Sequence, residues 1–297
     1  RRRDGLQRRA RLPAGLPRGD IRQQIVVAGA CAAPLSNEPV LLRGTQFIGC
    51  RATARAIRGG PRIKNLNRFY QVYQFVVPAL LFPLAYCLWL ERFAGNHSVT
   101  MLVMFVPVVA YYALVIVGIT KLKLWEMNTW PTIRGLRPHH GFVIGTATGL
   151  LTYLSLRMMP VGEGGIGGVL TAAFVVGSVF GFWNWWYETY AIKSEFISIY
   201  TKRKADGASA EEAVTDYAPI LFGSMGACHG AMVKSAENLL LDSHSAAVYW
   251  SVAVGGGLAL LIIPAALYGV AHRIRYGESG FRSYRAEIKS PHTQSRS

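Results

Sequence analysis

Charged residues are few in this sequence, 16% of 297, and acidic ones fewer still, with 16 Asp+Glu against 32 Lys+Arg. Soluble domains carry about 25% charged residues, so the shortage argues against an ordinary water-soluble fold. An apolar content of 51% equally excludes intrinsic disorder of the chain as a whole. Cysteine is sparse: Cys31, Cys50, Cys87 and Cys228 form no CxxC pair and no Cys/His cluster, which argues against a disulfide framework or a zinc site. Catalytic signatures are missing too. There is no P-loop, no dinucleotide-binding glycine fingerprint and no GxSxG elbow. The histidines are scattered, and His139-His140, after Pro138 in a basic loop, has no HExxH context. No carboxylate pair falls in the middle of an apolar run, which argues against a prenyltransferase or an ion-coupled pump. Catalytic residues, metal and cofactor are all expected to be absent. Glu188, following Trp185-Trp186-Tyr187, reads as an interfacial residue.

What the sequence does have is long apolar runs. A helix needs roughly 20 apolar residues to cross a bilayer, and Phe69–Leu90, Val99–Thr120, Gly165–Tyr187 and Ala246–Ala271 each supply them. Two further runs are weaker. Residues 141–161 are interrupted by Arg157, and residues 217–236 are rich in small side chains and contain His229, so they either span or re-enter. The expected fold is an all-α membrane protein, a six-helix transmembrane bundle over residues 69–271. Its spans fall at about 69–90, 99–120, 141–161, 165–187, 217–236 and 246–271. The basic residues orient it. With six spans, 29 Lys and Arg fall on the side of the termini, and the opposite side receives only Arg92, Arg157 and Lys234. The positive-inside rule then places both termini on the cytoplasmic or matrix side.

Residues 1–68 form a basic, Arg-rich extension with 15 basic and 3 acidic residues, and residues 272–297 a shorter basic tail. The bias is that of an organelle-targeted segment, or of a tail on anionic headgroups, where each basic residue contributes about 1 kcal/mol. Phe47 is the single aromatic residue of the extension, so the stacking groups of a nucleic-acid reader are missing. Expected partners are the bilayer and other subunits of a membrane complex, not nucleic acid. In the polar 188–216 loop, Ser209-Ala210-Glu211-Glu212 fits a capping box. A helix is expected to start there and run into the fifth span, while Trp185–Tyr200 continues the fourth helix out of the membrane. Asn96-His97-Ser98 fits the glycosylation triplet.

Glycines recur four residues apart in or beside consecutive spans: Gly145/Gly149, Gly164/Gly168, Gly177/Gly181 and Gly226/Gly230. That spacing puts both glycines on one helix face and lets backbones approach where lipid supplies no hydrophobic drive. All eight are expected to be helix-packing positions. Over residues 141–270 the pattern resembles that of the mitochondrial inner-membrane import-channel family, whose four helices carry such pairs. Two additional N-terminal spans and the 188–216 insertion depart from it.

One polar constellation lies within a span: His229, Lys234, Glu237 and Asn238. Ionisable groups at membrane depth are functional candidates. Lys234 and Glu237 form an i,i+3 pair that can neutralise itself at the far interface. His229 is then the deep residue, expected to be neutral and hydrogen-bonded to another helix. Together these features suggest a non-catalytic structural or assembly subunit, more in keeping with the mitochondrial inner membrane than a bacterial plasma membrane. A solute transporter or permease subunit is the alternative, and a membrane-embedded enzyme the second.

Overall fold

The computed structural model describes residues 64–289 except 242 and 244. Residues 1–63, with Cys31, Cys50 and most of the basic extension, and residues 290–297 lie outside the described residues. The rest is nearly all helix. α1 runs Lys64–Val76, through a π turn at Val77–Leu81, into Phe82–Arg92; α2 runs His97–Ile116 and ends in a π turn at Val117–Lys121. There follow α3 (His140–Leu156), α4 (Gly165–Lys193), the single turn α5 (Lys202–Ala205), α6 (Ala210–Leu240), α7 (Ala246–Tyr276) and α8 (Arg285–Lys289). Two short strands, β1 (Trp125–Met127) and β2 (Ile197–Ile199), pair antiparallel with Glu126 opposite Ser198.

Among the described residues, four helices are long and apolar enough to cross a membrane: Leu66–Arg92, His97–Lys121, Gly165–Lys193 and Ala246–Tyr276. The other two long helices fall short for different reasons. The 17 residues of α3 rise only about 26 Å, against a hydrocarbon core of about 30 Å. The α6 helix has length to spare, but its charge-free stretch between Asp216 and Lys234 is 17 residues, diluted by Gly, Ser, Pro and His229, and too weakly apolar.

Side-chain contacts fix the directions of the six long helices. At one end, Arg92 of α1 reaches the carbonyl of Leu156 at the end of α3 and Glu237 near the end of α6. At the other, Tyr70 of α1 donates to the Tyr187 carbonyl of α4 at 3.1 Å, and Asp216 of α6 accepts from Tyr276 of α7 at 2.7 Å. Successive long helices therefore alternate in direction. The end carrying the β-ribbon is called the near end and the other the far end.

Periodicity decides which faces are buried. On α7, Leu260, Pro264, Tyr268 and His272 recur every four residues and are buried, with Gly256 one turn earlier against Met232. Trp250, Val254, Leu258 and Ile262 recur at the same interval on the opposite face and are exposed. On α4, Ala172, Val176 and Phe180 turn inward while Ile166, Leu170 and Phe174 turn outward. An apolar stripe left uncovered on a helix of this length is the surface expected of a lipid-facing span.

Several boundaries differ from the sequence expectation. The third span ends at Leu156 rather than 161: the chain turns at Arg157, and Met158 is 85% exposed. The fourth helix ends at Lys193, and Ile197–Ile199 leaves helical geometry to pair with β1, so it does not reach Tyr200. The fifth begins at Ala210, where Ser209 and Glu212 form the reciprocal capping box, and continues to Leu240. The polar 188–216 segment is thus divided among α4, β2, α5 and α6. Residues 272–276 belong to α7 rather than to a tail. Asn96 of the glycosylation triplet serves as the N-cap of α2, accepting from the Val99 amide at 3.1 Å.

Candidate functional site

The glycines sit largely where helices touch. A Cβ on Gly145 would lie 2.8 Å from the Val108 Cα of α2, and one on Gly149 would lie 2.6 Å from Met104 Sδ. Between α4 and α6, a Cβ on Gly177 would meet the Gly223 carbonyl at 2.8 Å. One on Gly226 would meet Phe180 Cβ at 2.5 Å, and one on Gly230 the Ala172 carbonyl at 2.5 Å. Gly181 has more room, with Gly223 Cα at 3.6 Å. The partner of Gly177 and Gly181 is a Pro219/Gly223/Ala227 stripe, and Gly223 had not been paired by spacing.

In the Gly164/Gly168 pair, only Gly164 departs from a packing position. Gly164 precedes α4 as its N-cap, at φ 89° in the left-handed region that favours glycine. Gly168 lies close both to its own loop, where a Cβ would be 2.8 Å from the Glu163 carbonyl, and to α6, where Lys234 Cε would be at 3.1 Å. Gly177→Leu is expected to destabilise the bundle more than Gly181→Leu, because only Gly177 has a rigid backbone oxygen inside Cβ contact distance. Equal thermal unfolding of the two variants in detergent would contradict this.

Lys234 and Glu237 do pair as i,i+3 neighbours, but buried rather than at an interface and not by themselves. Both side chains are buried, at 2% and 0% exposure, and Arg92 of α1 joins them at 6%. Arg92 Nε donates to Glu237 Oε1 at 2.8 Å, and Lys234 Nζ donates to Glu237 Oε2 at 2.9 Å. Two cations on one carboxylate leave a surplus positive charge. The turn after α3 answers it with carbonyl oxygens: Leu156 and Met159 accept from Arg92 at 3.0 and 3.2 Å, and Pro160 accepts from Lys234. The Trp89 ring lies 5.9 Å from the guanidinium. The cluster thus pins the α3–α4 turn against α1 and α6. Asn238 points elsewhere, donating to the Gly165 carbonyl at 3.3 Å.

His229 is fully buried and touches two other helices. Its Nδ1 is 2.8 Å from Thr152 Oγ1 of α3, and its Nε2 is 3.1 Å from the Val103 carbonyl of α2. A carbonyl oxygen only accepts, so Nε2 carries the hydrogen, and Nδ1 accepts from the threonine hydroxyl. The Val103 carbonyl is special for a local reason. Its helical donor would be the amide of residue 107, which is a proline inside α2. His229 supplies the donor that Pro107 lacks.

The near end contains a site that the sequence does not announce. A chamber of about 40 Å³ lies between α1, α3, α4 and α6, and its polar lining is Tyr73, His140, Thr148, Asn184, Tyr187 and Glu188. His140 is 5% exposed, and its Nδ1 has no hydrogen-bond partner in the protein. Glu188 accepts from the Tyr217 hydroxyl at 2.6 Å, and among the described residues no Lys, Arg or His forms an ion pair with it. Thr148 donates to the Tyr111 hydroxyl at 3.1 Å, one turn above Thr152 and His229. Alongside, Arg137 is 1% exposed and stacks 4.5 Å over Phe196, and burial pushes its guanidinium down to about 10. Outside the helices, Glu126 of β1 gathers Tyr200, Arg285 and Lys289 and so ties α8 to the ribbon. Burial would raise that carboxyl, but Lys289, Tyr200 and Arg285 together hold it below the usual range.

Spacing and residue type identified His229, Lys234 and Glu237. They missed Arg92, which reads as an interface charge, and Glu188 and His140, which stand 48 residues apart and look like loop and interface residues. No protein-family model, no curated protein and no solved structure matches the chain. The likeness of its glycine spacing to the import-channel family therefore remains one of spacing.

Proposed function

We propose that the chain is a multi-pass structural subunit of a larger membrane complex, assembled with other subunits in the bilayer. The observation that carries this reading is the filled mid-section. Trp89, Leu102, Met104, Phe180, Leu260 and His229 are all fully buried, and both imidazole nitrogens are taken up by neighbouring helices. A rigid, hydrogen-bonded core suits a scaffold better than a solute path, which needs an interior that can open. In this reading all six long helices span. The short α3 and the charged α6 are shielded by the four apolar ones, and both termini lie on the near side, where Lys and Arg concentrate. The Arg-rich, acid-poor residues 1–68 favour a mitochondrial inner membrane over a bacterial plasma membrane, with the basic sequence held at anionic headgroups.

Native electrophoresis of gently solubilised membranes, followed by mass spectrometry, is expected to find the chain in a stoichiometric assembly with other subunits. If it migrates alone, the subunit reading fails and a transporter takes its place.

A further inference from the structure

We propose that the near-end chamber is a proton-binding site in which Glu188 is the acceptor. The proposal goes beyond the scaffold reading and does not depend on it. It begins from a contrast between a fully buried carboxylate, Glu237, and a half-buried one, Glu188, that no cation answers among the described residues. Glu237 has two cations on it, at 2.8 and 2.9 Å. Glu188 has one hydrogen bond, from Tyr217, and no ion-pair partner among the described residues. An unpaired carboxylate in such surroundings is costly enough that the group takes up a proton instead.

The groups around Glu188 support this. They are Tyr70 and Tyr73 on α1, His140 on α3, Tyr187 on α4 and Tyr217 on α6. Phenols and a neutral imidazole offer hydrogen bonds but no fixed positive charge. Arg137, buried alongside, is engaged by Thr129 and Phe196; its charge bears on Tyr187 and His140, and it makes no ion pair with Glu188.

The chamber supplies the route for the proton. A cavity needs roughly 10–15 Å³ to hold a water, so about 40 Å³ admits about three. Such waters need polar partners, and the lining provides them in Glu188, Asn184, Tyr187 and His140, whose Nδ1 lacks a protein partner. A hydronium entering from the near end leaves its proton on the Glu188 carboxylate oxygen that Tyr217 does not occupy, and returns as water. Inward, Leu151 and Phe180 close the chamber below Thr148, and the Thr152–His229 pair is the next polar group beyond them.

Infrared difference spectroscopy of the full-length protein in lipid vesicles tests this. At neutral pH the wild type is expected to show a protonated-carboxyl band that is lost in Glu188→Gln, an isosteric change that keeps an acceptor for Tyr217. The band should shift on transfer to heavy water, because chamber water exchanges, and should persist when sodium replaces choline. Tyr217→Phe keeps the carboxyl and removes its hydrogen bond, so the same band should move in frequency, which assigns it even if Glu188→Gln fails to fold. Ionised-carboxylate bands alone in the wild type, a band indifferent to Tyr217→Phe, or one blind to heavy water would overturn the proposal. Loss of the band on adding sodium would also overturn it, in favour of a metal-cation site.

Discussion

Glu237→Ala is expected to be among the most damaging single substitutions in the protein, making unfolding in detergent easier by about 3–5 kcal/mol. The carboxylate is 0% exposed and is, among the described residues, the sole anion on Arg92 and Lys234. Without it, two buried cations face each other with only the carbonyls of Leu156, Met159 and Pro160 for partners. Removing all three charges together is a different matter. Replacement of a buried ionic cluster by apolar groups of similar volume is often neutral, so Arg92→Met/Lys234→Met/Glu237→Leu is expected to recover most of the lost stability. What the triple variant should not recover is the α3–α4 turn. Its carbonyls lose their donors, and amide exchange at residues 157–164 should accelerate even where global stability is restored. Denaturant unfolding of the single and triple variants decides the first point. A triple variant less stable than Glu237→Ala would show that the charges contribute net stability rather than a mutual need for one another.

The cluster also shows where sequence reading reaches its limit. Lys234 and Glu237 are three residues apart, and their pairing is a helical certainty. Arg92 is 145 residues from Glu237, and nothing local distinguishes it from an arginine ending a membrane span. The four most apolar helices are legible because a bilayer span demands a long apolar run, and α6 starts where the Ser209–Glu212 box says it should. The π turn ending α2 is not legible. It arises where Gly118 makes room for the ring of Trp125, which folds back from the following strand. The ribbon itself is three residues a side, too short for any alternation of apolar and polar positions to register. Glycine spacing found the α4–α6 seam but misassigned Gly164, since a left-handed cap and a packing position look alike in sequence. Glu188 and His140 were passed over because each, taken alone, sits at the end of a helix.

The interaction of His229 with α2 leads to a result that a simple packing role does not predict. His229→Leu removes the donor to the Val103 carbonyl and the acceptor for Thr152. The hydroxyl has an alternative, since a helical threonine can turn to the carbonyl four residues earlier. The carbonyl has none, because residue 107 is proline and carries no N–H. An orphaned buried carbonyl costs about 1–3 kcal/mol, and that is the expected loss in His229→Leu. His229→Gln should lose less, since one amide offers both a donor and an acceptor. Pro107→Ala changes the arithmetic, because it returns the amide that α2 would ordinarily use to satisfy Val103. In that background the carbonyl no longer depends on the imidazole, and His229→Leu should become cheaper by on the order of 1 kcal/mol. The double-mutant cycle on Pro107 and His229, read by reversible unfolding in detergent, is therefore expected to be clearly non-additive even though the two residues need not touch. Additivity to within about 0.5 kcal/mol would mean that the Val103 carbonyl is satisfied some other way, and that His229 is held by Thr152 and packing alone.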